Sequence, residues 1–163
     1  MKKYLPIIIL LLIAFTADFF RDYIFVNLNY QIHYLKYLDY NFTDSFIEKL
    51  VNGLSINSIN QLKWGFSLLF ICFYTGLTVI LIHFYYKKHK KKYYFFTLLF
   101  LLSFLFFSYL SYLISILILD ISLQYSFYYI SMELSHYLQS SLSFISMIMI
   151  FELYNLLNNS STQ

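Results

Sequence analysis

Apolar residues in this chain fall in long, nearly uncharged blocks set apart by charged punctuation. The blocks run from Tyr4 to about Phe20, Trp64 to Tyr86, Tyr93 to about Leu119 and about Leu134 to Leu157. Each is close to the roughly 20 helical residues that cross a hydrocarbon core. Strands in lipid would leave backbone groups unpaired, and four segments cannot close a barrel, so the pattern predicts helices. With Pro6 the one proline and three glycines in all, those helices are expected to run unbroken, unlike the discontinuous helices of many ion-coupled transporters.

Between the first two blocks lies an outer loop, residues 21–63, with a pattern of its own. Val26-Asn27-Leu28-Asn29-Tyr30-Gln31-Ile32-His33-Tyr34 alternates apolar and polar, which is strand periodicity, the alternative being that the first span continues into it as a helix. A lone strand needs an edge to pair with, so Leu28 and Ile32 are expected to form a partner-binding edge. Farther on, Ser45-Phe46-Ile47-Glu48 has the spacing of a capping box, and Gly53 can end the short helix that it starts. The link between the last two blocks offers Asp120 as a helix-ending residue.

Composition agrees with the blocks, since 60% hydrophobic and 23% aromatic residues exceed what a soluble chain of 163 residues can bury. Charge then orients it. Lys87-Lys88-His89-Lys90-Lys91-Lys92, spanning 87–92, joins the second and third spans, and Lys2 and Lys3 precede the first, so both belong on the cytoplasmic side. The expected fold is an all-α membrane protein of four transmembrane helices, forming one domain over 1–163, with both termini cytoplasmic and a partly structured outer loop. The N-terminal run resembles a cleavable signal peptide in outline, but Phe15 stands where a cut after Ala17 would need a small residue. Cys72 lies inside the second span, excludes an internal disulfide and is expected to pack there. The basic run attracts anionic lipid, whereas nothing in six loop residues assembles a nucleic-acid fold.

Candidate chemistry gathers at the outer side. Asp18, Arg21 and Asp22 stand three and four apart at the end of the first span, where one arginine can pair with either carboxylate. Glu133, His136, Tyr137 and Ser140 share one helical face. Glu-x-x-His is a di-iron spacing, but the chain has no second copy, so neither a metal nor a cofactor is expected. Taken as a catalytic cluster with Asp22 beside them, His136 would be the acid or base, Glu133 its charge partner, and Arg21 the group that holds an anionic phosphate or carboxylate. The competing reading is an ion-pair network between helix ends, with water at hand. Ser111 and Ser115 on the third helix, with Gln139, Ser143 and Ser146 on the fourth, have the small or hydrogen-bonding character of helix contacts in lipid, and Thr75 and Gly76 would serve the second helix in the same way.

In Phe19-Phe20-Arg21-Asp22-Tyr23-Ile24-Phe25 and in Phe127-Tyr128-Tyr129 through Leu138-Gln139-Ser140, the chain faintly resembles the small four-pass membrane proteins encoded beside bacterial exosortases. The Asp-Pro and Gln-Pro pairs expected of them are replaced here by Asn27-Leu28 and Gln139-Ser140. The resemblance implies an accessory role in a bacterial cytoplasmic membrane. Three functions follow from the sequence: a non-enzymatic accessory or scaffold subunit with a membrane-protein partner, a small enzyme at the outer leaflet, and an oligomeric transporter.

Overall fold

A computed structural model describes residues 4–37, 45–86 and 90–160. Lys2, Lys3, Lys87, Lys88 and His89 lie outside the described residues. The described residues form six helices: α1 Leu5–Tyr37, α2 Phe46–Val51, α3 Ile56–Phe84, α4 Lys90–Leu117, α5 Ile121–Leu138 and α6 Ser141–Ser160. Three segments are long and apolar enough to cross a membrane: Ile56–Phe84, Lys90–Leu117 and Ser141–Asn158. In α1 the apolar run Leu5–Ala17 is followed by Asp18, Arg21 and Asp22 before the helix continues.

That continuation overturns the strand at 26–34. The chain is helical through Tyr37, about 50 Å from Leu5 at the 1.5 Å helical rise. Extending an existing helix pairs each new backbone group within the segment, whereas a strand would have needed an edge. The residues that alternate along the sequence also contain a helical stripe. Leu28 and Gln31 are buried, Ile32 and Leu35 are half-buried, and Val26 and Tyr30 are exposed. Leu28 packs with Ile47 and Val51 of α2 and Ile59 of α3, with Ile32 against them. The proposed edge residues are therefore interior contacts of the chain itself.

Much of the expected outer loop is thus helix. Gly53, at φ +81°, turns the chain after α2 in a conformation that favours glycine, as its position suggested. The Ser55 side chain accepts the Ser58 N–H at 3.2 Å to cap α3. Beyond α4 the expected short link is also helical. Asp120 starts α5 rather than ending α4, accepting the Ser122 and Leu123 N–H groups at 2.9 and 3.1 Å. Those bonds and one from the Ser122 hydroxyl hold its carboxyl below the ordinary aspartate value, the hydroxyl bond most strongly.

Helices α1 and α3 lie antiparallel along their length. Tyr4 meets Tyr85, Tyr74 meets Ala14 and Asp18, Phe25 meets Phe70, and Lys63 Nζ donates to Asn29 Oδ1 at 2.6 Å. Helices α4 and α5 form the most extensive pair, with Ser108 against Ser131 and Phe104 stacked on Tyr137. Below them α6 closes the core on α1 and α3. At that end Tyr86 donates to Glu152 at 2.6 Å, Tyr93 donates to Asn155, and both rings pack on Phe151. Lys92 lies over the Tyr154 ring at 5.6 Å, so this aromatic cluster meets the basic end of α4.

The fourth apolar block is not one helix. It divides at Gln139 and Ser140 into α5 and α6, which corrects the expectation of unbroken helices. Neither glycine nor proline causes the break. Serine hydroxyls bond the carbonyls at the break instead, beside short-range backbone bonds from Ser140 N–H to Tyr137 and from Ser143 N–H to Ser140. Ser140 Oγ donates to the Tyr137 carbonyl at 2.8 Å, and Ser143 Oγ donates to the carbonyls of Ser140 and Leu138 at 2.8 and 3.3 Å. Two smaller expectations also change. Cys72 is exposed rather than packed, and a Cβ at Gly76 would have no atom within 4 Å, so that glycine does not serve a close helix approach.

Candidate functional site

The break in the fourth block exposes two helix ends, and α1 meets both. Asp18 Oδ1 accepts the Ser141 N–H at 3.1 Å and the Tyr74 hydroxyl at 2.6 Å, while Oδ2 lies 3.3 Å from the same N–H. One turn along, Arg21 Nη1 donates to the Gln139 carbonyl at 3.0 Å and lies 3.7 Å from Asp18 Oδ1. Its Nη2 and Nε donate to Asp22 Oδ1 at 2.7 and 3.1 Å. A carboxylate therefore stands at the positive end of α6 and a guanidinium at the negative end of α5, each opposing the local dipole.

This junction lies far from any helix end of α1 or α3. Tyr74 is ten residues from Trp64 and ten from Phe84 in α3, or about 15 Å along the axis in each direction. The ion pair thus meets α3 near the middle of the apolar block Trp64–Tyr86, while in α1 it follows directly on the apolar run Leu5–Ala17. Away from water an isolated charge is costly, and every bond just described would offset part of that cost. The side chains of Asp18 and Arg21 are 22% and 19% exposed, and that of Asp22 is 64% exposed.

The four candidate residues divide accordingly. Arg21, Glu133 and His136 line a common open cleft of about 490 Å³, together with Phe104, Tyr137 and Leu142. Asp22 reaches it only through Arg21. Glu133 is exposed and hydrogen-bonds the Tyr129 hydroxyl, and among the described residues it has no ion-pair partner. His136 is also exposed, with Glu133 its strongest charged neighbour. Among the described residues no group of three histidine, cysteine or acidic side chains converges.

The predicted helix contacts have more particular roles. Gln139 is buried and donates through Nε2 to Ser135 Oγ at 2.9 Å; its carbonyl receives Arg21. Ser143 closes the break, and Ser146 bonds the Tyr137 hydroxyl across it. Ser115 is buried and returns its hydroxyl to the Tyr112 carbonyl at 2.7 Å, whereas Ser111 is half-buried. Sequence reading passed over Tyr74. The available signal was a phenol in mid-block, whose hydroxyl must find a partner when buried.

No family model, curated protein or solved structure matches this chain.

Proposed function

We propose that the chain is a non-enzymatic scaffold subunit of a membrane complex, crossing the bilayer four times with both termini cytoplasmic. Its first crossing is the apolar part of α1, carried past Asp18 and Arg21 by the internal bonding of those charges. Its fourth crossing is the discontinuous pair of α5 and α6. The bilayer of this reading is bacterial and cytoplasmic, with anionic lipid at the basic segment and a membrane protein as partner; the faint likeness to the exosortase-associated proteins is consistent with such a role.

One observation carries the choice of scaffold over transporter: Asp18 occupies the α6 N-terminus. Discontinuous transporter helices leave such an end facing a substrate anion. Here the anion belongs to the chain, and Arg21 takes the opposite end. The junction is filled from within, which favours a rigid element over a moving one. Affinity isolation from membranes in mild detergent should recover a stoichiometric membrane-protein partner. Recovery of the chain alone, after crosslinking in the intact membrane, would count against the scaffold.

A second reading is favoured by the shared cleft of Arg21, Glu133 and His136: an enzyme at the outer half of the membrane. His136→Gln removes proton transfer but retains some hydrogen bonding, and Arg21→Lys retains charge without the guanidinium fork. An enzyme loses function in both variants at normal abundance. A scaffold keeps it, or loses abundance and function together.

A further inference from the structure

The cleft beside the helix break has an electrostatic imbalance that the junction does not use. Arg21 is compensated on two sides, by Asp22 at 2.7 Å and Asp18 at 3.7 Å. Lys63, the next cation to influence His136, is held by Asn29 at 2.6 Å. Set against these two cations, Asp18, Asp22 and Glu133 leave one carboxylate in excess, and Glu133 is the one without an ion pair among the described residues. One turn on, His136 lines the same cleft, and its ring nitrogens can donate or accept a hydrogen bond there.

The walls add a second requirement. Phe104 and Tyr137 stack with centroids 4.9 Å apart and planes 14° apart, which presents π-density beside the carboxylate. Leu134 and Leu142 line the same space, and Leu142 is 55% exposed on the outside of the bundle. A volume of about 490 Å³ is in the range of small-molecule sites. Its occupant must therefore bring a cation for Glu133, one or more N–H donors for His136, and hydrocarbon for the leucines.

We propose that this cleft binds the protonated amine of an amphiphile, with the ammonium between Glu133 and His136 over the Tyr137 ring and a hydrocarbon chain leaving past Leu142. A primary ammonium satisfies all these groups at once. An anionic head would meet the uncompensated carboxylate and an arginine already occupied by Gln139, Asp18 and Asp22. The proposal rests on the cleft alone and stands or falls independently of the scaffold reading.

The same ammonium chemistry can arrive on a membrane phospholipid or on a free alkylamine, and the test separates them. The purified full-length protein is mixed with phosphatidylethanolamine, phosphatidylglycerol or dodecylamine, and the retained molecules are counted by native mass spectrometry. Retention of phosphatidylethanolamine at least tenfold above phosphatidylglycerol is expected if the source is lipid, and retention of dodecylamine alone identifies a free amine. Glu133→Gln should remove either preference at unchanged thermal stability, because Glu133 is exposed and outside the Asp18 junction. Leu142→Ala, as a second variant, should weaken retention without changing the order of preference. Equal retention of the anionic lipid, or a preference that survives Glu133→Gln, overturns the proposal.

Discussion

The carboxylate of Asp18 accepts the backbone N–H of Ser141 at 3.1 Å across 123 positions of sequence, so the first helix caps the last. The bond is charge-assisted and sheltered, and Tyr74 and Arg21 share the same oxygen. Asp18→Ala strips three partners from one site, leaving the Arg21 charge with Asp22 and the α6 end without an acceptor. A loss of about 3 kcal/mol is expected in reversible unfolding from mixed micelles. Asp18→Asn should retain part of this, since an amide oxygen still accepts the Ser141 N–H. Wild-type stability in the alanine variant would show that the cap contributes nothing.

Residues 26–34 provide a sharper test of the helical extension, because strand and helix assign opposite environments to two adjacent positions. Alternation puts Tyr30 with the apolar set and Gln31 with the polar one. In the helix Gln31 is 7% exposed and Tyr30 is 44% exposed. With Cys72 replaced by serine, a cysteine at 30 should react with a water-soluble maleimide and one at 31 should resist it. The reverse order would restore the strand.

Why the alternation misled is visible in the residues. Leu28, Ile32 and Leu35 belong to both a period of about 3.6 and, in part, a period of 2, and Gln31 conceals the helical stripe because it is a polar residue on the buried side. The long apolar blocks were legible because lipid imposes length and composition on every crossing. The break at Gln139 was not, because its cause is a set of serine hydroxyls and two charges contributed by α1. Gln139-Ser140-Ser141 reads equally as a helix contact until the partner of each backbone group is known. Of the candidate cluster, Arg21, Glu133 and His136 line one cleft, while the bond from Tyr74 to Asp18 has no local signature in the sequence.

Asp120 sets a pH dependence at the start of α5. Its carboxyl is held below the ordinary value by hydrogen bonds to the ionised form. The cap therefore contributes fully above the unfolded aspartate range, near about 3.9, and is lost as pH falls through the lower folded value. Amide exchange at Ser122 and Leu123, corrected for intrinsic rates, should lose protection only below that range. Asp120→Asn should keep a cap but abolish the pH dependence, and a midpoint above the ordinary aspartate value would contradict the assigned bonds.

The depth of the junction is the remaining test, and it joins the fold to the four-crossing reading. Trp64 is the sole tryptophan and lies ten residues from Tyr74 toward the start of α3, whereas Leu142 is next to Ser141 and exposed on the outside of the bundle. If α3 crosses from Trp64 to Phe84, these positions differ in depth by about 15 Å, half the thickness of a hydrocarbon core. In liposomes, Trp64 should be quenched more by a nitroxide near the lipid headgroup than by one near the acyl terminus. A Trp64→Phe, Leu142→Trp double variant should reverse that order, since its indole would stand level with Asp18 and the helix break. Should both tryptophans prefer the shallow nitroxide, the junction would be interfacial, and Asp18 and Arg21 would be ordinary rim charges with water as their main partner.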